Sequence, residues 1–262
     1  MAEEPVDESA RAPGAGSKVV AGNWKMNHGP AAAERFFARF SPAVEEGAVR
    51  LVFFTPDLSL AAAADGARVP AEFGVQNIHW EGSGALTGET SAEMAREAGA
   101  ALTLIGHSER RHIFGETDAE VGRKVRAAVR AGLAPVVCVG ELLEERRAGR
   151  LEEVLRRQVG AFAGSLAGAR AAMVAYEPVW AIGTGETATP EDAAEAHGIV
   201  RSALGRRVRV PVLYGGSVKP GNAVALMSAP DVDGVLVGGA SLDPDVFARI
   251  AEAGAVAGPG GG

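Results

Sequence analysis

Eight short apolar runs recur along the chain, separated by longer stretches rich in Ala, Glu and Arg, and this alternation restricts the fold more than any other feature. The runs are Lys18–Asn23, Val49–Phe54, Phe73–Gln76, Ala101–Ile105, Ala134–Val139, Ala171–Tyr176, Arg209–Leu213 and Val232–Val237. Each is too short for a helix and rich enough in Val, Leu, Ile and Phe for a buried strand. Between them, Asp118–Ala131, Leu142–Leu166 and Glu191–Leu204 carry helix formers at helical spacing. Repeated strand-then-helix units bury both faces of a parallel sheet. At 262 residues, 47% of them hydrophobic, the chain matches the roughly 250 residues of one (β/α)8 barrel of the α/β class. An open doubly wound sheet is the alternative, but no Gly-x-Gly-x-x-Gly lies between the first run and the first helix, where a dinucleotide fold would carry it. Length alone also permits two domains, yet no linker divides the chain. The expected organisation is a disordered tail over 1–17, a barrel over 18–256 and a flexible glycine-rich tail over 257–262.

Charge narrows the partners. With 26 basic and 33 acidic residues the net charge is −7, which disfavours nucleic acid and anionic membranes, so an anionic substrate must be attracted locally. One cysteine, Cys138, excludes an intramolecular disulfide and suits a reducing compartment; within its apolar run it reads as a small buried residue. The first residues lack the basic start and apolar stretch of a secretory signal, and no apolar run reaches the ~18 residues of a membrane span. A soluble, cytoplasmic protein is expected.

In a barrel, function gathers at the carboxyl ends of the strands. The first run alternates Val19, Ala21, Asn23 and Lys25 on one face against Val20, Gly22 and Trp24 on the other, so an amide and an ammonium close one face. The fourth ends in Gly106-His107-Ser108-Glu109-Arg110-Arg111, with His107 following Thr103 and Ile105 on one face and Ser108 placed to cap a helix. A helix amino terminus beside His107 biases its imidazole toward the neutral form. The sixth ends in Glu177-Pro178, and the proline keeps Glu177 extended at the strand tip, where it can act as a base. Pro178-Val179-Trp180-Ala181-Ile182-Gly183-Thr184-Gly185 then places Trp180 and Ile182 on a short glycine-bounded loop. Such a loop reads as a lid over a ligand, or as one packed permanently on its neighbours. Tyr214-Gly215-Gly216-Ser217 and Gly238-Gly239-Ala240-Ser241 end the last two runs, the usual phosphate-binding places in barrels.

From Lys18 to about Ile250 the sequence closely resembles the triosephosphate isomerase family. The resemblance rests on Asn23-Trp24-Lys25-Met26-Asn27, Gly106–Arg111, Cys138-Val139-Gly140-Glu141, Tyr176–Gly185, Tyr214-Gly215-Gly216-Ser217 and Leu236-Val237-Gly238-Gly239, in that order. It implies interconversion of dihydroxyacetone phosphate and glyceraldehyde 3-phosphate without metal or organic cofactor. It further implies that Glu177 is the general base, that neutral His107 with Asn23 and Lys25 stabilises an enediolate, and that Glu109 pairs with Lys25, in support of the catalytic residues rather than as a proton-transfer group or a purely structural ion pair. Phosphate is expected on backbone groups at Gly183, Ser217, Gly238 and Gly239, under a lid closed by Trp180 and Ile182. Gly84–Glu89 resembles a loop that enters a second subunit with Thr87 near that subunit's site, which implies a homodimer; an ordinary surface loop is the alternative.

One departure stands out. Glu186 follows Gly185 where the family usually has lysine, reversing a charge at the end of the lid. Lid kinetics or local salt pairing are expected to differ while the chemistry is kept, and an unchanged turnover and affinity in Glu186→Lys would refute that. Another phosphate-handling barrel should lack the combination of His107, Glu177 and lid; a binding protein without activity would not need Lys25, His107 and Glu177 intact.

Overall fold

The computed structural model of the chain describes residues 17–167, 169–182 and 188–258. Eight parallel strands close on themselves: β1 (Lys18–Asn23), β2 (Val49–Thr55), β3 (Glu72–Val75), β4 (Leu102–Ile105), β5 (Ala134–Val139), β6 (Met173–Tyr176), β7 (Val212–Tyr214) and β8 (Gly234–Val237). Closure comes from β1, which pairs with β2 on one side and with β8 on the other, Ala21 lying opposite both Val52 and Leu236. All eight expected strands form, and the fold is a single (β/α)8 barrel.

Alternation along the strands divides the interior into two apolar layers. Val19, Ala21, Val52, Phe54, Leu102, Leu104, Val136, Cys138, Met173, Ala175, Leu213 and Leu236 form one cluster made of strand residues alone, which fills the barrel. The intervening residues, among them Val20, Trp24, Phe53, Val137, Tyr176 and Val235, join the inward faces of the helices in a second, larger cluster. Trp24, Phe36, Phe37, Phe40, Phe53, Phe73 and Phe247 pack edge-to-face or stacked there, with centroids 4.9 to 6.2 Å apart. Trp24 also donates from its indole nitrogen to the Ser241 carbonyl at 3.2 Å, so the turn that carries Lys25 is anchored from behind.

Where boundaries differ from the sequence pattern, the backbone supplies the reason. Asp118–Ala131 is one helix, started by a capping box of Thr117 with Glu120 and ended by Gly132. The expected Leu142–Leu166 helix is three, Leu143–Arg147, Leu151–Gly160 and Ala163–Leu166; Gly149 turns the chain at φ 67° between the first two. Ala171 adopts φ 56°, so β6 starts only at Met173; Pro211 cannot donate to a ladder, and β7 starts at Val212. Ser17 is held by a hydrogen bond from its hydroxyl to the Gly47 carbonyl at 2.7 Å, and the last helix, Pro244–Ala257, ends beside Gly258. The rest of both expected tails, 1–16 and 259–262, lies outside the described residues. No helix among the described residues is long and apolar enough to cross a membrane.

Candidate active site

The carboxyl ends of β1, β4, β6, β7 and β8 surround a cavity of about 260 Å³ whose wall includes Asn23, Lys25, His107, Glu177, Ile182, Ser217, Gly238 and Gly239. Residues drawn from five separate stretches of sequence thus share one space. Glu109 stands beside it, its carboxylate 2.5 Å from Lys25 Nζ. Thr87 is not part of the cavity wall. It sits on the exposed Gly84–Glu89 segment, and Gly183, Thr184 and Gly185, with Glu186, lie outside the described residues.

Lys25 is held in an unusual backbone conformation, φ 50°, which most residues with a side chain avoid. Its N–H donates to Asn23 Oδ1 at 2.9 Å, and its carbonyl accepts from Gln76 Nε2 at 2.9 Å, so neighbours on β1 and beyond β3 fix the turn. The side chain reaches toward the end of β8: a Cβ placed on Gly238 would lie 3.4 Å from Lys25 Cε. An ammonium is therefore available to an anion seated on the glycine-rich ends of β7 and β8.

His107 enters the cavity by a route that alternation does not foresee. Ile105 belongs to the outer cluster, so a continued strand would send His107 outward with it. Gly106, at φ 72°, breaks the alternation and turns His107 inward. The expectation that Ser108 caps the helix is also corrected. The cap of Ser108–His112 is His107 itself, whose Nδ1 accepts from the Glu109 N–H at 3.3 Å. With Nδ1 accepting, the ring proton belongs on Nε2, which lies 3.0 Å from Glu177 Oε1.

Glu177 is buried, 2% exposed, and its second oxygen accepts from the Ser108 N–H at 2.7 Å. Burial pushes its pKa up, but the His107 ring, the Ser108 N–H and Lys25 outweigh burial and hold it below the ordinary value of 4.5. Burial likewise lowers His107, while the facing Glu177 carboxylate and then Glu109 raise it, leaving it above the ordinary 6.5.

Beyond Pro178, Val179–Ala181 forms one 3-10 turn. Trp180 donates from its indole nitrogen to Glu141 Oε1 at 2.8 Å, and the Tyr176 hydroxyl donates to the same oxygen at 3.1 Å. Burial raises the pKa of Glu141, against the opposing pull of these donors. Gln76, Glu141 and the Ser108 N–H make contacts with candidate site residues to which the sequence pattern gave no role. Gln76 ends an apolar run and Glu141 follows one, and a polar residue in either place could have marked them.

The triosephosphate isomerase family model matches residues 18–254. The chain is 49% identical to a triosephosphate isomerase of Solibacter usitatus, covering 88% of this chain and 97% of that protein. It is 47% identical to one from Moorella thermoacetica, over 88% and 96%, and 45% identical to one from Halorhodospira halophila, over 91% and 98%. The match therefore spans the whole barrel and leaves out chiefly the tails. This chain belongs to the triosephosphate isomerase family.

Proposed function

We propose that the chain interconverts dihydroxyacetone phosphate and D-glyceraldehyde 3-phosphate, with Glu177 as the general base. The observation that carries this reading is the direct contact of a buried carboxylate and an imidazole at one cavity, with Lys25 and two glycine-rich strand ends facing them. Glu177 takes a proton from the carbon next to the carbonyl. The C–H electron pair becomes the carbon–carbon double bond and the carbonyl π pair moves to oxygen; the hydroxyl proton of the neighbouring carbon then passes to that oxygen while its O–H pair forms the new carbonyl, and Glu177 returns the first proton to the former carbonyl carbon. The transient enediolate needs donors already in place, supplied by His107 Nε2–H, the Asn23 amide and the Lys25 ammonium. Because Glu109 holds Lys25 Nζ at 2.5 Å, its assigned role is support of that ammonium.

Resting contacts suit this chemistry. When substrate draws Glu177 from His107 and Ser108, each partner loses the contact that shifted it. Glu177 becomes a stronger base and His107 returns toward its neutral form. Phosphate is assigned to backbone N–H groups at Gly183, Ser217, Gly238 and Gly239, near Lys25, with Pro178–Gly185 as the lid and Trp180 and Ile182 as its apolar lining. Shielding matters because an exposed enediolate can expel phosphate. No cofactor is required, since only protons and electron pairs within the substrate move.

A homodimer is the proposed assembly. A second cavity of about 410 Å³, between Lys25, Met26, Gln76, Gly88, Glu109 and Phe114, opens beside the first, and Met26, Ile113 and Phe114 are exposed around it. The projecting Gly84–Glu89 segment of a second copy, carrying Thr87, is the proposed occupant. The single buried cysteine fits a cytoplasmic setting.

The test is conversion of glyceraldehyde 3-phosphate by purified protein, with Glu177→Gln assayed alongside. Loss of the base should cost about 10²- to 10⁴-fold in turnover while inorganic phosphate still binds. Wild-type protein that is folded, binds phosphate and does not turn over would overturn the isomerase reading in favour of a binding protein.

A further inference from the structure

At the His107 end of β4 the ladder with β5 stops early. Ile105 lies opposite Val137, and the next residues in register, Gly106 and Cys138, are joined by a side chain instead. Arg111 Nε donates to the Gly106 carbonyl at 2.8 Å, and one terminal nitrogen donates to the Cys138 carbonyl at 3.2 Å. Its other terminal nitrogen donates to Asp118 Oδ1 at 2.7 Å, and Asp118 is in turn held by Arg157. The Arg111 side chain is only 8% exposed.

We propose that Arg111 is a positioning residue for the isomerisation, a clip that replaces the missing rung and sets His107 against Glu177. The inference rests on the isomerase reading above. Two backbone links make the path. Downstream of Cys138, the Val139 carbonyl accepts from the Glu177 N–H at 2.7 Å. Gly140 then packs so closely that a Cβ there would fall 1.8 Å from the Glu177 carbonyl oxygen, so no other residue fits without moving β6. Glu177 is therefore registered on β5, and β5 is registered through Arg111 on Gly106, the residue that turns His107 inward. Gly106 and Arg111 also fit each other sterically: a Cβ on Gly106 would approach two guanidinium nitrogens at 3.1 and 3.3 Å. The planar fork presents donors to three acceptors in fixed directions, which the single ammonium of lysine cannot reproduce.

Arg111 touches none of the glycine-rich ends of β7 and β8, so its loss should act on the reacting groups and spare phosphate affinity. Arg111→Lys keeps the charge beside Asp118 and is the main variant, with Arg111→Ala as the second. Initial rates in glyceraldehyde 3-phosphate, inhibition by inorganic phosphate and urea unfolding would be measured for each. Turnover is expected to fall about 10- to 100-fold, the scale of a sub-ångström to ångström misplacement of reacting groups. KM and the phosphate inhibition constant should stay within about twofold, and dilute guanidinium, unlike sodium at equal concentration, should restore part of the turnover of Arg111→Ala.

A turnover per folded site equal to wild type, with only a lower urea midpoint, would show a structural role and overturn the proposal. So would a KM that rises in step with the loss of turnover. Failure of the isomerase reading looks different, because wild-type protein would then be inactive too. In that event the ring-nitrogen NMR signals of His107 decide: a shift in Arg111→Lys supports the clip, and unchanged signals sink it.

Discussion

Glu177 and His107 form a buried pair in which carboxylate and imidazole nitrogen lie 3.0 Å apart, and their contact reverses the sign that burial alone would give to each pKa. His107 is raised above 6.5, so its stabilisation is full below that value and is lost as pH rises through the folded-state value. Glu177 is depressed below 4.5, so its stabilisation is full above that value and is lost as pH falls through the folded-state value. Both contributions are complete only between pH 4.5 and 6.5. Glu177→Gln removes the pair. The difference in unfolding free energy between wild type and this variant should be largest in that window and shrink on either side; denaturant titrations giving a pH-independent difference would contradict the pairing.

Glu109 offers a test of support against chemistry. Its ion pair with Lys25 is part-exposed, the two side chains being 39% and 28% accessible, and pairs of that kind are worth about 1 kcal/mol or less. Glu109→Gln should therefore lower kcat/KM by roughly tenfold at most. A loss of about 10²- to 10⁴-fold, carried in kcat, would instead assign Glu109 a proton-transfer step.

The barrel was legible because it rests on local pattern, and so were the strand ends that gather around the cavity. Strand alternation put Asn23 on one face of β1 with Val19 and Ala21, and Pro178 marked Glu177 at the tip of β6. Alternation failed at His107, since a single positive-φ glycine inverts the face, and the sequence shows Gly106 without its dihedral angle. Arg111 was equally hidden. Within Glu109-Arg110-Arg111 nothing local distinguishes the arginine that bridges two strands from its neighbour, whose guanidinium stacks over Phe114 and faces Glu116. Such long-range partners become visible only when the strand ends are brought together.

Glu116 and Lys124 make a second prediction of stability. Both side chains are 4% exposed and paired, Lys124 also donates to Asn77 Oδ1 at 2.6 Å, and burial lowers the Lys124 pKa against the pull of Glu116. Removing the ammonium strands a buried carboxylate whose remaining cation, Arg110, is 3.6 Å away. Lys124→Met should cost about 3 kcal/mol, at the lower end of the range for a broken buried pair. Lys124→Met combined with Glu116→Leu should cost less than the single change, because no charge is then left unpaired; urea unfolding of both variants measures this. A single variant as stable as wild type would mean that the pair adds nothing to the fold.

The proposed dimer has the most direct physical consequence for activity. Met26 is 96% exposed and Phe114 is 68% exposed, while Asn23, Lys25 and His107 line both the 260 Å³ cavity and the adjoining 410 Å³ cavity. A partner loop filling the second cavity would cover that apolar surface and support the back of the three side chains that face substrate. Sedimentation should give twice the 26.8 kDa chain mass for the wild type. Phe114→Glu places a charge where the partner loop must pack, and should yield monomers whose turnover falls about 100-fold through loosened positioning of Lys25 and His107. Because that cavity is built largely from loops, the barrel itself should survive the change, with its far-ultraviolet circular dichroism intact. Monomeric wild type, or monomers of the variant with full turnover, would separate the active site from any subunit contact and sink the proposed role of Thr87 and its loop.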